Sequence, residues 1–484
     1  MRDRHLTALV ALILLGAGLR FATLDLQSYW YDEAVTVGLV RMDLPGMLSA
    51  IYRHESTPPL YYVLAWGWCK LFGSGEVGLR SLSALFGTAS IPVFYAAAKE
   101  LVSRNVGLAV AALAAVNPLL VWYSQEARAY ALLTLLGGLS LLFFARLTRR
   151  MDRRSLALWA LFSALALATH YFAVFLVVPE AAWLVWRRAG REVAVGVGAV
   201  AAVAIALLPL ALHQQSLDLA SFIRGEPLGY RLARAPKQFL VGFDAPLEVA
   251  AAVVAAVVAL AGLVVAAVRL RDRLGVRVAG GLAIAGIAIP FLLALVGVDY
   301  FETRNLLPIW LPFTVAVAAG LLAGAARAGV AAVAVLAVLG AIAVISIDVT
   351  PNWRRDDWRG AARALGKADQ LRALVVTPGN GGVPLRLYRR GLSVMAPGGI
   401  SVHQIALVSM PRRASGSVHP PPPPRPRKVE IPGFFLLRRV FAPTYTVMIY
   451  GAGGSLGVTP AGLQNYRLLR KSTGAAVLLQ APGR

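Results

Sequence analysis

Long uncharged runs of apolar residues, separated by short polar connections, recur along most of this 484-residue chain. A lipid-exposed segment must satisfy its own backbone hydrogen bonds, which favours helices. At roughly 20 apolar residues per crossing, the pattern predicts a polytopic α-helical membrane protein with about 11 transmembrane helices. We interpret the first run as a retained span and not a cleaved signal peptide, because many more spans follow it. The expected spans are residues 6–24, 79–98, 106–123, 129–147, 155–171, 172–186, 193–212, 247–268, 278–298, 306–325 and 328–348.

The connections between these spans alternate in charge. One set is almost purely basic and reads "MRDRH", "KELVSRN", "RLTRRMDRR", "WRRAGRE", "RLRDRLGVR" and "GAARAG". The other set is mixed, acidic and aromatic, and contains "LDLQSYWYDEA", "YSQEAR", "THYF", "HQQSLDLASFIRGEP" and "VDYFETRN". Basic residues concentrate on the cytoplasmic side of membrane proteins. The sequence therefore predicts a multi-pass protein of the cell membrane with a cytoplasmic N-terminus, and places residue 349 onward outside the cytoplasm.

Two regions outside the spans predict folded structure of their own. The first outer loop, residues 25–78, contains the amphipathic stretches "EAVTVGLVRM" and "PPLYYVLAWGWCKLFG", which suit helices lying in the membrane interface. After the last span, helix-like and strand-like segments predict a small extracytoplasmic α/β domain over residues 350–484, with a proline-rich segment at 411–428. Residues 1–349 would form the transmembrane domain.

The charge of the chain is concentrated in this last domain. Residues 350–484 carry 20 Lys and Arg against 4 Asp and Glu, so +16 of the net charge of +24 lies there. Such an excess favours an anionic surface as partner, and membrane phosphates fit best. Nucleic acid is excluded by the expected location and by the absence of a recognition motif. The single cysteine, Cys69, excludes an intrachain disulfide.

Asp32 and Glu33 stand side by side in "SYWYDEAVTVG", just after the first span. They fit two interpretations. They could cap and charge the first turn of an interfacial helix, which stabilises such a helix by about 0.5–2 kcal/mol. They could also be a general base and a neighbouring carboxylate that tunes it, held where a substrate meets the membrane surface.

The other outer connections add acids, bases and aromatic residues to the same side. Each alone has an ordinary explanation: a helix boundary, an exposed ion pair worth little, or an interfacial histidine. Together they predict a site in which acids and aromatic faces hold a sugar and Arg and His hold a phosphate. The candidates are His54, Glu55, Tyr123, Gln125, Glu126, Arg128, Tyr130, His170, Glu302 and Arg304.

Four motifs in order, "YDEA", "PPLYY", "EVGLRSLSALFG" and "NPLLVWYSQEARAYAL", resemble the protein O-mannosyltransferase and aminoarabinose transferase superfamily, membrane glycosyltransferases of the GT-C fold. The resemblance covers roughly residues 1–350 and is dense over 25–135. It implies a polyprenyl-phosphate-linked sugar donor and an inverting transfer to a lipid, protein or polysaccharide hydroxyl on the outer face.

The same resemblance implies roles for particular residues. The catalytic aspartate of the superfamily matches Asp32, and its neighbouring acid matches Glu33. A first-loop glutamate of the aminoarabinose branch falls near Glu55, with a spacing to Pro58 that differs by one residue. No cofactor is required; a divalent cation would be compatible, but the first loop holds no metal-binding DxD motif.

Two other classes of protein fit the composition. A transporter or flippase for a lipid-linked glycan should carry ionisable residues near the middle of its spans, whereas the span centres here are nearly all Ala, Val, Leu and Gly. An envelope protein that binds an anionic glycan through its basic outer domain would keep a degenerate enzyme core. Retention of Asp32 argues against that class.

Overall fold

The computed structural model describes residues 2–219, 221–324, 326–411, 429–468 and 474–483. The expected proline-rich segment lies outside the described residues apart from residue 411. Contacts divide the chain into two compact units. The helical unit comprises Met1–Leu24 and Leu39–Ser346, and the sheet unit comprises Asp25–Gly38 and Ile347–Arg484.

Helices account for the first two thirds of the chain. Several begin at side-chain caps; for example, Asn117 accepts a hydrogen bond from the Leu120 amide at 3.1 Å. The helices are α1 Arg2–Phe21, α2 Tyr31–Val40, α3 Leu44–His54, α4 Leu60–Phe72, α5 Glu76–Leu101, α6 Arg104–Val116, α7 Pro118–Ser124, α8 Tyr130–Arg149, α9 Arg153–Thr169, α10 Val174–Arg188, α11 Arg191–Ser216, α12 Leu228–Val241, α13 Glu248–Arg269, α14 Leu274–Leu295, α15 Trp310–Leu322 and α16 Ala326–Val349. Short 3₁₀ segments include Tyr171–Ala173, Ser221–Gly225 and Thr303–Ile309.

Eight helices in the described part of the chain are long and apolar enough to cross a membrane, or nine if α6 and α7 form one span bent by 58°. The two remaining expected spans correspond to α9 and α10, which have only 17 and 15 residues. Helix α9 begins directly after its cap residue Asp152 and ends at Thr169. The protein is thus a multi-helix membrane protein, as the sequence predicts.

Helix α5 is central to the packing of the helical unit, since it contacts α1, α6 and α8. Small residues let other helices approach closely. A Cβ atom at Gly320 of α15 would lie 1.8 Å from the Gly262 carbonyl oxygen of α13, so only glycine fits there.

The first loop contains three helices and not two: α3 was not predicted, although Asp43 caps it and a proline stands in its first turn.

The sheet unit contains a mixed sheet, as expected for a small α/β domain. Its order is β2-β6-β1-β3-β5-β4, with β1 and β3 parallel and the other neighbours antiparallel. The elements are α17 Trp358–Leu365, β1 Arg372–Thr377, α18 Gly382–Tyr388, β2 Leu392–Val394, β3 Ile400–Ser409, β4 Phe435–Phe441, β5 Thr446–Val458, α19 Pro460–Gln464 and β6 Ala476–Gln480.

Both faces of this sheet are covered. Trp358 and Leu365 of α17 pack with Leu374 of β1 on one face, whereas Val375 of the same strand packs with Leu463 of α19 on the other. Strand β1 is consequently buried along its whole length. Such a strand reads as a continuous apolar run in the sequence.

Candidate active site

The segment that leads from α3 to α4 is fixed by α11. The Gln214 side chain of α11 donates hydrogen bonds to the carbonyl oxygens of Ile51 at 3.1 Å and Thr57 at 3.3 Å. Tyr171 in turn donates from its hydroxyl to the Gln214 side-chain oxygen at 2.8 Å. These bonds hold the segment between Ile51 and Thr57, and with it Glu55, in one position.

Glu55 and Arg128 form a buried ion pair. An Arg128 guanidinium nitrogen lies 3.3 Å from Glu55 Oε1, and the two side chains are 6% and 9% exposed respectively. The same nitrogen donates to the Tyr62 hydroxyl at 2.7 Å, and that hydroxyl lies 3.1 Å from the Thr57 hydroxyl. Arg128 therefore joins the "YSQEAR" connection to the first loop.

The Tyr62 hydroxyl keeps its proton. Burial raises the pKa of Tyr62 well above its usual value, although the nearby charge of Arg128 opposes this effect. The hydroxyl can therefore accept from Arg128 and still donate one hydrogen bond.

Aromatic rings line the region beside Arg128. The rings of Tyr123 and Tyr130 lie 4.7 Å apart, and the ring of Tyr130 lies 5.5 Å from that of His170. His170 follows the last residue of α9 and is buried. Burial is the main reason that a proton on His170 is disfavoured, and the positive charges of Arg128 and Arg304 add to the effect.

Glu302 and Arg304 reach the same region from the connection before α15. Both charges act on the Tyr123 hydroxyl, as does that of Glu126. Glu302 pairs with Arg234 of α12, at 2.8 Å. The positive charge of Arg304 acts on both Tyr123 and His170.

Helix α12 carries residues that the sequence reasoning missed. Arg231, Arg234 and Lys237 recur every third residue, and each forms an ion pair: with Asp299 at 2.5 Å, with Glu226 at 2.8 Å and with Glu248 at 2.5 Å. A row of three cations at helical spacing on the acidic, aromatic side of the charge alternation was the signal that could have identified them.

Two predicted site residues, His54 and Gln125, have other surroundings, whereas Glu126 remains at the site. His54, the last residue of α3, is exposed, whereas its neighbour Glu55 is buried. The Gln125 side chain donates to the Leu19 carbonyl oxygen at 3.0 Å and the Thr23 hydroxyl at 2.8 Å, and so ties down the end of α1. Glu126 is buried beside Tyr123.

Asp32 and Glu33 belong to the sheet unit, where they occupy the first turn of α2. Glu33 is fully buried and its Oε2 accepts from the Trp30 amide at 3.5 Å, while Asp32 is half-buried. The stretch before them is bonded to the rest of that unit. The Ser28 hydroxyl donates to the Asp356 carbonyl oxygen at 2.6 Å, and the Tyr29 amide donates to the Tyr388 hydroxyl at 2.6 Å.

The described residues contain no group of three or more His, Cys, Asp or Glu side chains that could hold a metal ion.

Comparison with known proteins gives a match to one family model over part of the chain and a likeness of fold to solved structures. Residues 56–213 match the family model described as dolichyl-phosphate-mannose-protein mannosyltransferase, a segment that includes Tyr62, Arg128 and His170. No curated protein matches the sequence.

Two crystal structures of ArnT from Cupriavidus metallidurans share the fold. The apo structure has a TM-score of 0.55 at 13% identity, covering 91% of this chain and 97% of that chain. The structure bound to undecaprenyl phosphate has a TM-score of 0.54 with the same identity and coverage. The family match and this likeness of fold confirm the resemblance to the GT-C superfamily.

Proposed function

We propose that this protein is a membrane glycosyltransferase that moves a sugar from a polyprenyl-phosphate-linked donor to a hydroxyl acceptor, with inversion, on the extracytoplasmic face. One observation carries the proposal. The segment that matches the mannosyltransferase family also supplies Arg128, His170, Tyr123 and Tyr130, which lie together and suit a sugar phosphate.

The cluster in the helical unit would bind the donor phosphate. Arg128 and Arg304 supply fixed positive charge, and a neutral His170 supplies a hydrogen bond without adding charge. Preorganised donors at a site that excludes water stabilise charge more strongly than they would in bulk water. Glu55 and Tyr62 would hold Arg128 in place, and the aromatic rings would pack against the sugar.

In the proposed reaction Asp32 takes the proton of the acceptor hydroxyl. The acceptor oxygen then forms a bond to C1 of the sugar, and the bond from C1 to the phosphate oxygen breaks with its electron pair going to the phosphate. Attack from the face opposite the leaving phosphate inverts C1. The assignment of Asp32, with Glu33 as its neighbour, rests on the matching motif of the superfamily.

Donor, acceptor and sidedness extend the same proposal. The name of the matching family favours mannose, although another hexose or a pentose fits the same chemistry, and undecaprenyl phosphate bound to ArnT favours a polyprenyl carrier. The acceptor would be a lipid, protein or polysaccharide. The charge alternation favours a cytoplasmic N-terminus and a sheet unit outside the cytoplasm.

The test is transfer by the full chain in proteoliposomes given radiolabelled polyprenyl-phosphate mannose and extracted envelope lipid, protein and polysaccharide. We expect Asp32→Asn to abolish transfer and Asp25→Asn, an exposed aspartate in the same loop, to leave it intact. Full activity of Asp32→Asn would refute the assigned base. Mass spectrometry of the envelope after gene deletion would identify the missing sugar, and an unchanged envelope would contradict the proposed function.

A further inference from the structure

A cavity of about 850 Å³ lies far along the helices from the candidate active site, at the end where the connections are basic. It is lined by α1 and α6, by the ends of α5, α8, α14, α15 and α16, and by Leu270 just after α13, all within the helical unit. No candidate site residue lines it. We call it the basic-end cavity.

The wall of the basic-end cavity is apolar. Leu12 of α1, Leu108 and Ala112 of α6, Val276 of α14 and Val333 of α16 contribute to it. Its volume lies within the range of roughly 300–1,000 Å³ found for small-molecule sites. An apolar cavity between membrane helices suits hydrocarbon better than a polar solute.

The packing around this cavity is close. A Cβ atom at Gly275, at the start of α14, would lie 1.8 Å from the Leu101 carbonyl oxygen at the end of α5. The backbones of α5 and α14 are therefore in direct contact on this side of the cavity. The cavity lies beside this contact, where the surrounding helices do not pack against each other.

The rim of the basic-end cavity is polar and positive. Arg149 at the end of α8 and Arg273 before α14 line it and are exposed, and Ser103 and Asn105 lie beside them. Within the described ranges neither rim arginine forms an ion pair. An apolar wall with two unneutralised cations at its mouth matches a molecule with a hydrocarbon tail and an anionic head.

Nearby acids do not neutralise the rim. Glu100 lies 3.9 Å from Arg146, and Asp272 lies 3.8 Å from Arg271. Asp152, in the same connection as Arg149, accepts a hydrogen bond from the Ser155 amide at 2.8 Å. Within the described residues none of these three carboxylates pairs with Arg149 or Arg273, so the positive charge at the mouth of the cavity is left for a ligand.

We propose that the basic-end cavity is a binding site for an anionic glycerophospholipid, with one acyl chain between the helices and the phosphate at Arg149 and Arg273. Basic pockets between membrane helices bind anionic headgroups in this way, and each basic residue contributes independently. The site is separate from the proposed donor site and does not depend on the proposed function.

The test uses the full chain in nanodiscs of phosphatidylcholine with graded phosphatidylglycerol, read by native mass spectrometry of the released protein. The test variant is Arg149→Gln with Arg273→Gln. The matched control is Arg150→Gln with Arg277→Gln, which removes the same charge from the same end of the helices at positions that do not line the cavity. A second variant, Ala112→Phe, fills the cavity and leaves the charge unchanged.

We expect one retained phosphatidylglycerol on the natural protein, binding at least tenfold weaker in the rim variant, and a comparable loss in Ala112→Phe. The control should stay within twofold of the natural protein. Equal loss in the control would show surface electrostatics only and overturn the site. Unchanged retention in the rim variant would overturn it too. Displacement by undecaprenyl phosphate at equimolar amounts would overturn the assignment to a phospholipid.

Discussion

At the acidic and aromatic end of the helical unit, Arg231 and Asp299 form an ion pair of 2.5 Å with side chains only 2% and 13% exposed. At the basic end, Arg153 and Glu192 form a similarly short pair of 2.7 Å, yet their side chains are 87% and 47% exposed. The distances between the charged atoms are nearly the same in the two pairs, whereas one pair is buried and the other is exposed to water. Glu55 with Arg128 is likewise buried at the acidic end, and Arg271 with Asp272 is exposed at the basic end. The pair of Arg224 with Asp218 is an exception, since it belongs to the acidic end and its side chains are 54% and 59% exposed.

This difference shows which charges the fold must keep. Removing one partner of a buried pair leaves an uncompensated charge away from water, which costs several kcal/mol, whereas an exposed pair contributes at most about 1 kcal/mol. Stability alone gives no reason to bury or half-bury the five ion pairs that the described residues form at this end, because apolar residues would stabilise the fold as well. Buried charge there is consistent with a site that handles a charged substrate.

The largest effect should come from neutralising the buried pair at the proposed donor site. Changing Glu55→Gln and Arg128→Gln together keeps the hydrogen-bonding shape without leaving a lone charge. We expect transfer to fall by about 10²–10³, the loss typical of one electrostatic donor to a transition state. The corresponding double change at the basic end, Glu100→Gln with Arg146→Gln, should leave the rate unchanged. The measurement is the transfer rate of both double variants in proteoliposomes. Equal losses of rate would contradict the inference that only the pair at the acidic end serves the site.

A stability effect should follow from Arg231→Ala. This change leaves Asp299 without its bidentate partner and the Phe301 carbonyl oxygen without a donor. We expect a loss of about 3 kcal/mol, measured as a lower midpoint of thermal unfolding in detergent. A variant as stable as the natural protein would show that this connection does not depend on its charge pair.

The pH dependence of stability tests the pair of Arg231 and Asp299 by a smaller change, the protonation of one carboxylate. The hydrogen bond from Arg231 lowers the pKa of Asp299, so the folded state favours the carboxylate. Its stabilising effect is present above the ordinary aspartate pKa of about 3.9 and is lost as the pH falls through the lower folded value. We expect the Asp299→Asn variant to be less stable at pH 7 and to lose less stability between pH 5 and 3. Parallel pH profiles would contradict the assignment.

The smallest effect should come from Arg153→Ala at the basic end. Although its pair with Glu192 is short, exposure to water limits the loss to below about 1 kcal/mol. The same thermal measurement provides the comparison with Arg231→Ala. A loss as large as that of Arg231→Ala would mean that distance, and not burial, determines the value of these pairs.

Sequence reasoning recovered the class of the fold because span length and charge alternation are local properties. The strand-like segments of the last domain were "LRALVV", "FFLLRRVF" and "TYTVMIYG", short apolar runs next to turn residues, and they correspond to β1, β4 and β5. Helix α3 was missed although its apolar residues recur at helical spacing after the cap residue Asp43, at Leu44, Met47, Leu48 and Ile51. The pairing of β1 with β3 is non-local and leaves no periodic signal in the sequence.

The candidate site was predicted in composition but not in pairing. The sequence placed Glu55, Arg128 and His170 on one side, yet nothing in it joins Arg128 to Glu55, because that pairing depends on how α3, α4 and α8 pack. The role of Gln125 at the end of α1 was hidden for the same reason. Charge patterns identify which side a residue lies on, and tertiary packing decides its partner.

The bonds from Ser28 and Tyr29 to Asp356 and Tyr388 have a consequence for biogenesis. The ribosome makes the first loop early and its hydrogen-bonding partners near the end of the chain. At 5–20 residues per second, the interval between Tyr29 and Tyr388 is roughly 20–70 s. During that time the segment before Asp32 lacks its hydrogen-bonding partners Asp356 and Tyr388, while the membrane helices are already being inserted. The protein cannot assemble this part of itself before its synthesis is nearly complete.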